Sequence, residues 1–169
     1  MLPKKNTDMK HIRLFEEFVT SQENIDVIVE SASNEAKIQL DEFTYSVDEG
    51  ALKQVIGWTF FPALSLMNVG YQLIRKEAKI KKMIDKEPDP KKKEALRKEL
   101  KALKYEEVKA KEKIKKKEEE LDAKIKAAKS KMTPEEKEKL SKEMAKKKEE
   151  LAKAKEKFNK EKEQLQGFV

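Results

Sequence analysis

The sequence predicts an all-α, elongated protein, and three features of the chain lead to that prediction. Charged residues make up 43% of the 169 residues, and most of them lie in runs rich in Lys and Glu, a composition typical of long solvated helices. Apolar residues in these runs recur three, four or seven positions apart, which is the spacing of one helix face. Pro-containing segments at 87–90 and 132–136 predict where helices end and begin.

Only short elements are predicted for residues 1–50. This part of the chain is acidic, with 5 Lys/Arg against 11 Asp/Glu. Asp8 can cap a short amphipathic helix, one side of which carries Ile12, Phe15, Phe18 and Val19. The run IDVIVE, 25–30, fits either a strand or part of a helix. The SASNE that follows predicts a polar linker. A further short element is predicted for residues 35–46.

The segment from Val55 to Ile74 contains no charged residue, and it predicts a hydrophobic helix that continues to about Asp85. Its apolar and aromatic members include Val55, Trp58, Phe60, Phe61, Leu64, Leu66, Leu73 and Ile74. About 20 apolar residues suffice to span a bilayer, and the cations that follow would place the C-terminal part in the cytoplasm.

Polar and helix-breaking residues within this segment favour a different interpretation. Pro62, Asn68 and Gln72 need partners that a lone membrane helix does not have. They indicate a helix, or a helix pair broken at Pro62, that is buried against other protein. Both interpretations, membrane-inserted and protein-buried, stay open at this point.

Two capped helices are predicted after the hydrophobic one. Asp89 and Pro90 predict an N-cap and a first helical residue, with the helix running to about Lys131. Thr133, Pro134 and Glu136 form a capping box that starts another helix, which runs to about Lys160. Their apolar stripes predict an antiparallel hairpin or a coiled coil. The stripe residues are Leu96, Leu100, Leu103, Ile114, Leu121 and Ile125, then Leu140, Met144, Leu151 and Phe158.

The residue types needed for common catalytic sites are scarce. His11 is the only histidine, expected on the exposed side of a helix, and the chain has no cysteine. Neither a Ser-His-Asp triad nor a metal site of His and Cys ligands can therefore be assembled. The four glycines form no phosphate-binding loop. The sequence predicts a non-enzymatic protein without a cofactor.

Clusters of lysine are the candidate polyanion-binding residues. Residues 75–169 hold 34 Lys/Arg against 22 Asp/Glu, which indicates contact with nucleic acid or an anionic membrane surface. The alternative is a solvated helix surface whose Lys and Glu side chains pair at i,i+4. Because aromatic residues are few, any nucleic-acid binding would be directed at the backbone and sensitive to salt. The clustered residues are Lys91, Lys92, Lys93, Lys115, Lys116, Lys117, Lys146, Lys147 and Lys148.

The stretch MKHIRLFEEFV, residues 9–19, resembles the N-terminal leader of head-interior and prohead-core proteins of T-even-like tailed phages. The resemblance implies a natural start at Met9 and a prohead protease that cuts after Glu in a Leu/Ile-x-Glu motif. Ile28, Glu30 and Ser31 form such a site, and 14–16 and 40–42 also match. No other Glu in the chain has Leu or Ile two positions before it.

The resemblance covers about the first 30 residues by motif and the remainder only by layout. It implies a structural protein of the virion or prohead interior, in the infected bacterial cytoplasm, whose basic helices contact DNA, capsid or scaffold proteins and which self-associates. The alternative is a single-pass protein of the bacterial inner membrane with a cytoplasmic coiled-coil tail. The predicted divisions are a leader, 1–30; an acidic linker, 31–50; the hydrophobic helix with its basic extension, 51–86; and the basic helical hairpin, 87–169.

Overall fold

In a computed structural model, the described part of the chain forms four long helices. They are α1 (Leu2–Phe43), α2 (Gly50–Lys86), α3 (Pro90–Ser130) and α4 (Pro134–Gly167). The structure describes the backbone of residues 2–47 and 50–167, and the side chains of residues 22–47 and 50–165. The all-α prediction is confirmed for these residues.

The start signals predicted for α3 and α4 are confirmed. The Asp89 side chain accepts a hydrogen bond from the Lys91 N–H at 3.0 Å, and Pro90 is the first residue of α3. The Thr133 hydroxyl accepts one from the Glu136 N–H at 3.2 Å, and Pro134 begins α4. These caps bond N–H groups that have no partner inside the helix. α4 continues to Gly167, about two turns beyond the predicted end.

The N-terminal third differs from the prediction of short elements, because one helix runs from Leu2 to Phe43. IDVIVE is helical, and the linker predicted for SASNE is wrong. Ala32 and Ser33 of this stretch are buried on the helix, so two small residues of the predicted linker let α1 lie close to its neighbours. Asp8 lies within α1 rather than before it. The side chains of the predicted amphipathic face, 12–19, and of His11 lie outside those the structure describes.

α2 is the central helix and packs against all three others. It runs unbroken through Pro62, so the alternative of a helix pair broken at that residue is wrong. A proline inside a helix costs about 3 kcal/mol. Burial of its neighbours Phe60 and Leu64 offsets this cost, since each large apolar side chain removed from water contributes about 1.5–3 kcal/mol.

Two apolar clusters form the core along α2. The first cluster joins all four helices and includes an edge-to-face contact of Phe43 and Phe60, with ring centroids 5.2 Å apart. Its buried members are Ala36, Val47, Leu52, Val55, Ile56, Phe60, Leu64, Ile125, Met132, Leu140 and Leu151. The second cluster joins α1, α2 and α3, through Ile25, Ile28, Val29, Ala32, Val69, Leu73, Ala110 and Ile114.

The apolar stripes of α3 and α4 therefore pack mainly on α2. Ile114 and Ile125 of α3 and Leu140 and Leu151 of α4 are buried in these clusters. The direct contact of α3 with α2 is the most extensive between any two helices. In the part of the chain that the structure describes, no helix has the length and apolarity of a membrane span.

Candidate functional site

The predicted Lys clusters lie in three different settings. Lys91 and Lys92 are exposed in the first turn of α3, and Lys93 beside them is half-buried. All three members of the second cluster, Lys115, Lys116 and Lys117, are exposed in the middle of α3. The first two clusters are more than 20 residues apart on α3, and the third lies on α4.

The third cluster is split between surface and core. Lys146 and Lys148 are exposed on α4, but Lys147 keeps only 6% of its side-chain surface. Its ammonium lies 3.3 Å from Glu150 Oε2 and 4.8 Å from the ring centroid of Phe43, a cation–π arrangement. Lys147 thus interacts within the fold, and the surface of this cluster consists of its two neighbours.

Ion pairs along single helices hold some of the cations of α3 and α4. Lys111 pairs with Glu107 at 2.9 Å and Lys109 with Glu112 at 3.4 Å. On α4, pairs three or four residues apart join Lys142 to Glu138, Lys146 to Glu143 and Lys160 to Glu156. Each exposed pair of this kind contributes about 0.3–0.5 kcal/mol. The pairs match the solvated-surface alternative for this part of α3 and α4.

A groove of about 570 Å³ opens between α1 and α4 over the outer face of α2. Near one end the guanidinium of Arg75 lies 4.0 Å from the ring centroid of Tyr71, and Tyr71 contacts Phe158 of α4 with centroids 5.9 Å apart. The groove is lined by Glu35, Gln39, Met67, Asn68, Tyr71, Gln72, Arg75, Ala154, Lys157, Phe158 and Glu161.

Two polar residues of the uncharged segment, Asn68 and Gln72, hydrogen-bond to α1 beside this groove. Asn68 Nδ2 donates to Gln39 Oε1 at 2.9 Å, and Gln39 Nε2 donates back to Asn68 Oδ1 at 3.4 Å. Gln72 Nε2 donates to the hydroxyl of Ser31 at 2.9 Å. α1 therefore supplies the partners that these amides need in a partly buried position.

The hydrophobic residues singled out in the uncharged segment face the other helices. Val55, Phe60, Leu64 and Leu73 are buried, and Trp58, Phe61, Leu66 and Ile74 are half-buried. Protein thus covers this helix along its length, which is the arrangement that the protein-buried interpretation describes.

The predicted processing site lies in the middle of α1. Ile28 is 1% exposed and belongs to the second cluster, while Glu30 and Ser31 lie on the exposed side. The Ser31 hydroxyl is bonded to α2 through Gln72. A protease would have to unwind α1 at this point to reach the bond between Glu30 and Ser31, and local opening of a packed helix costs free energy.

A buried carboxylate was missed in the sequence. Glu106 of α3 is 4% exposed and accepts a hydrogen bond from Asn24 Nδ2 at 3.1 Å. Nearby, Lys113 forms an ion pair with Asp26, which also joins α3 to α1. Glu106 lies on the apolar stripe of α3, three residues after Leu103 and four before Ala110, and that position was the available signal of its burial.

The described side chains contain no group of three or more His, Cys, Asp or Glu that could hold a metal ion. Comparison with known proteins adds no function, because no family model, no curated protein and no solved structure matches this chain. A functional proposal consequently rests on the residues and on the geometry described above.

Proposed function

We propose that the chain is a non-enzymatic structural protein of a tailed phage, of the head-interior or prohead-core type. Its basic helices contact DNA or scaffold protein. The observation that carries the proposal is the pairing of Asn68 and Gln72 with α1. It supports burial of the uncharged helix by protein of the same chain, with Lys-rich helices packed around it, rather than a membrane span.

Two further features support this proposal. The leader-like stretch at 9–19 and the three Leu/Ile-x-Glu matches, all within the first 42 residues, resemble phage proteins that are processed in the prohead. The C-terminal basic helices are long and carry most of their lysines at the surface, as expected for a protein that meets a polyanion.

The proposed role includes the way in which α3 and α4 pair. α3 and α4 act as an elongated helical hairpin, or as strands of a coiled coil, through which copies of the chain associate and contact capsid or scaffold proteins. The half-buried stripe residue Leu121 supplies apolar surface for such contacts. Sedimentation of the purified chain over a range of concentrations measures this association, and a constant monomer mass would contradict it.

Particles purified from the infected culture test the proposal directly. We expect the protein in proheads or virions, with an N-terminus at Ser31 because Ile28 and Glu30 fit the protease motif. N-terminal sequencing and mass spectrometry measure both properties. An intact N-terminus in mature particles would refute the processing, and absence from all particles would refute the location.

Carbonate extraction of membranes tests the alternative of a single-pass inner-membrane protein. The proposed structural protein is expected in the carbonate-soluble fraction of expressing cells. Retention in the membrane pellet would favour the alternative and a cytoplasmic coiled-coil tail.

A further inference from the structure

The net charge of the protein is concentrated where α2 meets α3. Residues 75–104, here called the arm, comprise the last part of α2, the turn and the first part of α3. They hold 13 Lys/Arg and 6 Asp/Glu, a formal net of +7, which equals that of the whole chain. The other 139 residues hold 27 Lys/Arg and 27 Asp/Glu. Outside the arm the chain is therefore neutral on balance.

One face of α2 in the arm carries only cations. Arg75, Lys79, Lys82 and Lys86 follow one another at intervals of four, three and four residues and are all exposed. At 100° per residue they share an arc of about 60°. The half-buried Ile80 lies on the opposite side of the helix, so the cationic face points away from the apolar contacts.

α3 carries a similar face in its first four turns. Lys93, Arg97, Lys101 and Lys104 share an arc of about 80°, and all but the half-buried Lys93 are exposed. The apolar residues Leu96 and Leu100 flank this arc on one side and are half-buried. The cations of α3 thus lie at the solvent side of its apolar stripe.

Several acidic groups of the arm already have partners inside it. Glu77 pairs with Lys81 at 3.0 Å. Glu87 accepts from the Asp89 N–H at 3.3 Å, and Asp89 caps α3. Among the described residues, the pair of Glu77 and Lys81 is the one ion pair found within the arm. The lysines of the two cationic faces belong to none of the ion pairs found among the described residues, whereas Lys142, Lys146 and Lys160 of α4 are paired.

We infer that the arm binds the phosphate backbone of duplex nucleic acid without reading its sequence. This inference rests on the proposed function and assigns its DNA contact to one surface. The four cations of the α2 face span about 17 Å of helix, a length over which a duplex presents roughly ten phosphate charges. Release of the counterions from those phosphates supplies the binding free energy.

The composition of the arm favours duplex backbone over other polyanions. Residues 75–104 contain no Phe, Trp or Tyr, and single-strand binding relies on aromatic stacking. They contain no Asn or Gln either, the amides that read adenine edges. A membrane-surface helix needs a free apolar face, whereas Ile80, Ile84, Leu96 and Leu100 of the arm are half-buried in the fold and Met83 alone among its large apolar residues is exposed.

Two variants of equal charge change test the assignment in the full chain. The arm variant carries Lys79→Gln, Lys82→Gln, Lys86→Gln and Lys101→Gln. The control carries Lys137→Gln, Lys148→Gln, Lys155→Gln and Lys162→Gln, which are exposed lysines of α4. Each variant lowers the net charge by the same amount. Circular dichroism checks that both keep their helices.

Fluorescence anisotropy with a labelled duplex of about 30 base pairs, long enough for several backbone contacts, measures affinity across a salt series. The arm variant is expected to bind at least about tenfold more weakly near 0.1 M salt, and its salt slope should decrease by about 0.9 for each phosphate that it no longer neutralises. The control is expected to change by less than about threefold, because α4 carries little net charge, with 11 Lys/Arg against 9 Asp/Glu in residues 134–167.

Three outcomes would overturn the assignment. Equal losses of affinity in both variants would show that bulk charge, rather than the arm, drives binding. Tighter binding of a single strand, or binding to anionic vesicles but not to the duplex, would show that the arm serves another partner. If the wild-type chain does not bind the duplex, the assignment is wrong, while the phage location is judged separately by the particle experiment.

Discussion

Lys147 is a charged residue on the apolar face of α4. It follows Met144 by three residues and precedes Leu151 by four, so it shares their stripe. Its stem is buried, and its ammonium contacts the Phe43 ring and the Glu150 carboxylate. A long aliphatic stem that packs while its charged end finds a partner is a common use of lysine.

Replacing Lys147 by Met should leave stability unchanged or raise it by about 1 kcal/mol. Met keeps the stem volume and removes the desolvation of a buried charge, and Glu150 stays solvated because 54% of its side chain is exposed. Lys147→Ala should instead destabilise, because it also removes the packing. Urea unfolding compares the two variants, and equal destabilisation in both would show that the ion pair matters more than the stem.

The burial of Lys147 was only partly readable from the sequence. Its position on the stripe with Leu140 and Leu151 predicts that it faces a neighbouring helix. Its partner Phe43 belongs to α1, at the other end of the chain, and no local pattern indicates that contact. Glu106 of α3 is a second example. Its position on the apolar stripe is visible in the sequence, but its hydrogen-bond partner Asn24, on α1, is not.

Among the helices, α4 docks on α2 through an aromatic ring over a glycine. A Cβ placed on Gly70 would lie 3.1 Å from Phe158 Cζ, which is closer than a relaxed contact. Gly70 lies within the helical run of α2, where glycine is about 1 kcal/mol less favourable than alanine. The close approach of the ring accounts for a glycine in the middle of this helix.

A double-mutant cycle at Gly70 and Phe158 should show this dependence. Phe158→Ala alone is expected to destabilise by about 1–2 kcal/mol, less than a fully buried Phe, because the ring is half-buried. Gly70→Ala should stabilise by about 1 kcal/mol in the Phe158→Ala background and by less in the wild type, where the new methyl meets the ring.

Urea unfolding of the four proteins gives the coupling energy. Gly57→Ala in the same helix is the matched control, because a Cβ there meets nothing within 4 Å. It should therefore stabilise equally with or without Phe158. A coupling energy of zero between Gly70 and Phe158 would show that the Phe158 ring of α4 does not pack on Gly70.

The starts of α3 and α4 were the most predictable property of the helices, and contacts between helices the least. The caps at Asp89 and Thr133 act within three residues of the chain, so the sequence contains the whole signal. The continuity of α1 through SASNE depends on burial of Ala32 and Ala36 against distant helices, and propensity is easily overridden by such packing.

In the fold as a whole, α1 completes a core that the other helices cannot close alone. Ile25, Ile28 and Val29 of α1 fill the second cluster between α2 and α3. Burial of each such side chain contributes about 1.5–3 kcal/mol. Their combined contribution is comparable with the whole stability of a typical domain, about 5–15 kcal/mol. Removal of residues 1–30 would thus uncover apolar surface on α2 and α3.

A chain that begins at Ser31 should accordingly be less stable and should self-associate. Its urea midpoint is expected to be lower than that of the full chain, and its sedimentation mass should rise more steeply with concentration than that of the full chain, as the uncovered surfaces meet. The control begins at Gln22 and retains every described residue of the second cluster. If the chain that begins at Ser31 has the midpoint and the sedimentation behaviour of the control, the second cluster does not contribute this stability.

The order of residues along the chain was enough to establish the helical class, the starts of α3 and α4, the uncharged segment and the positive charge that follows it. Caps, prolines, periodicity and charge are local or additive properties, so they can be read from the sequence without knowledge of the packing. What covers the uncharged helix became clear only from the packing. Asn68 and Gln72 find partners on α1, and the apolar residues find α1, α3 and α4. Those partners lie far apart in the chain, and burial depends on which of them meet in space.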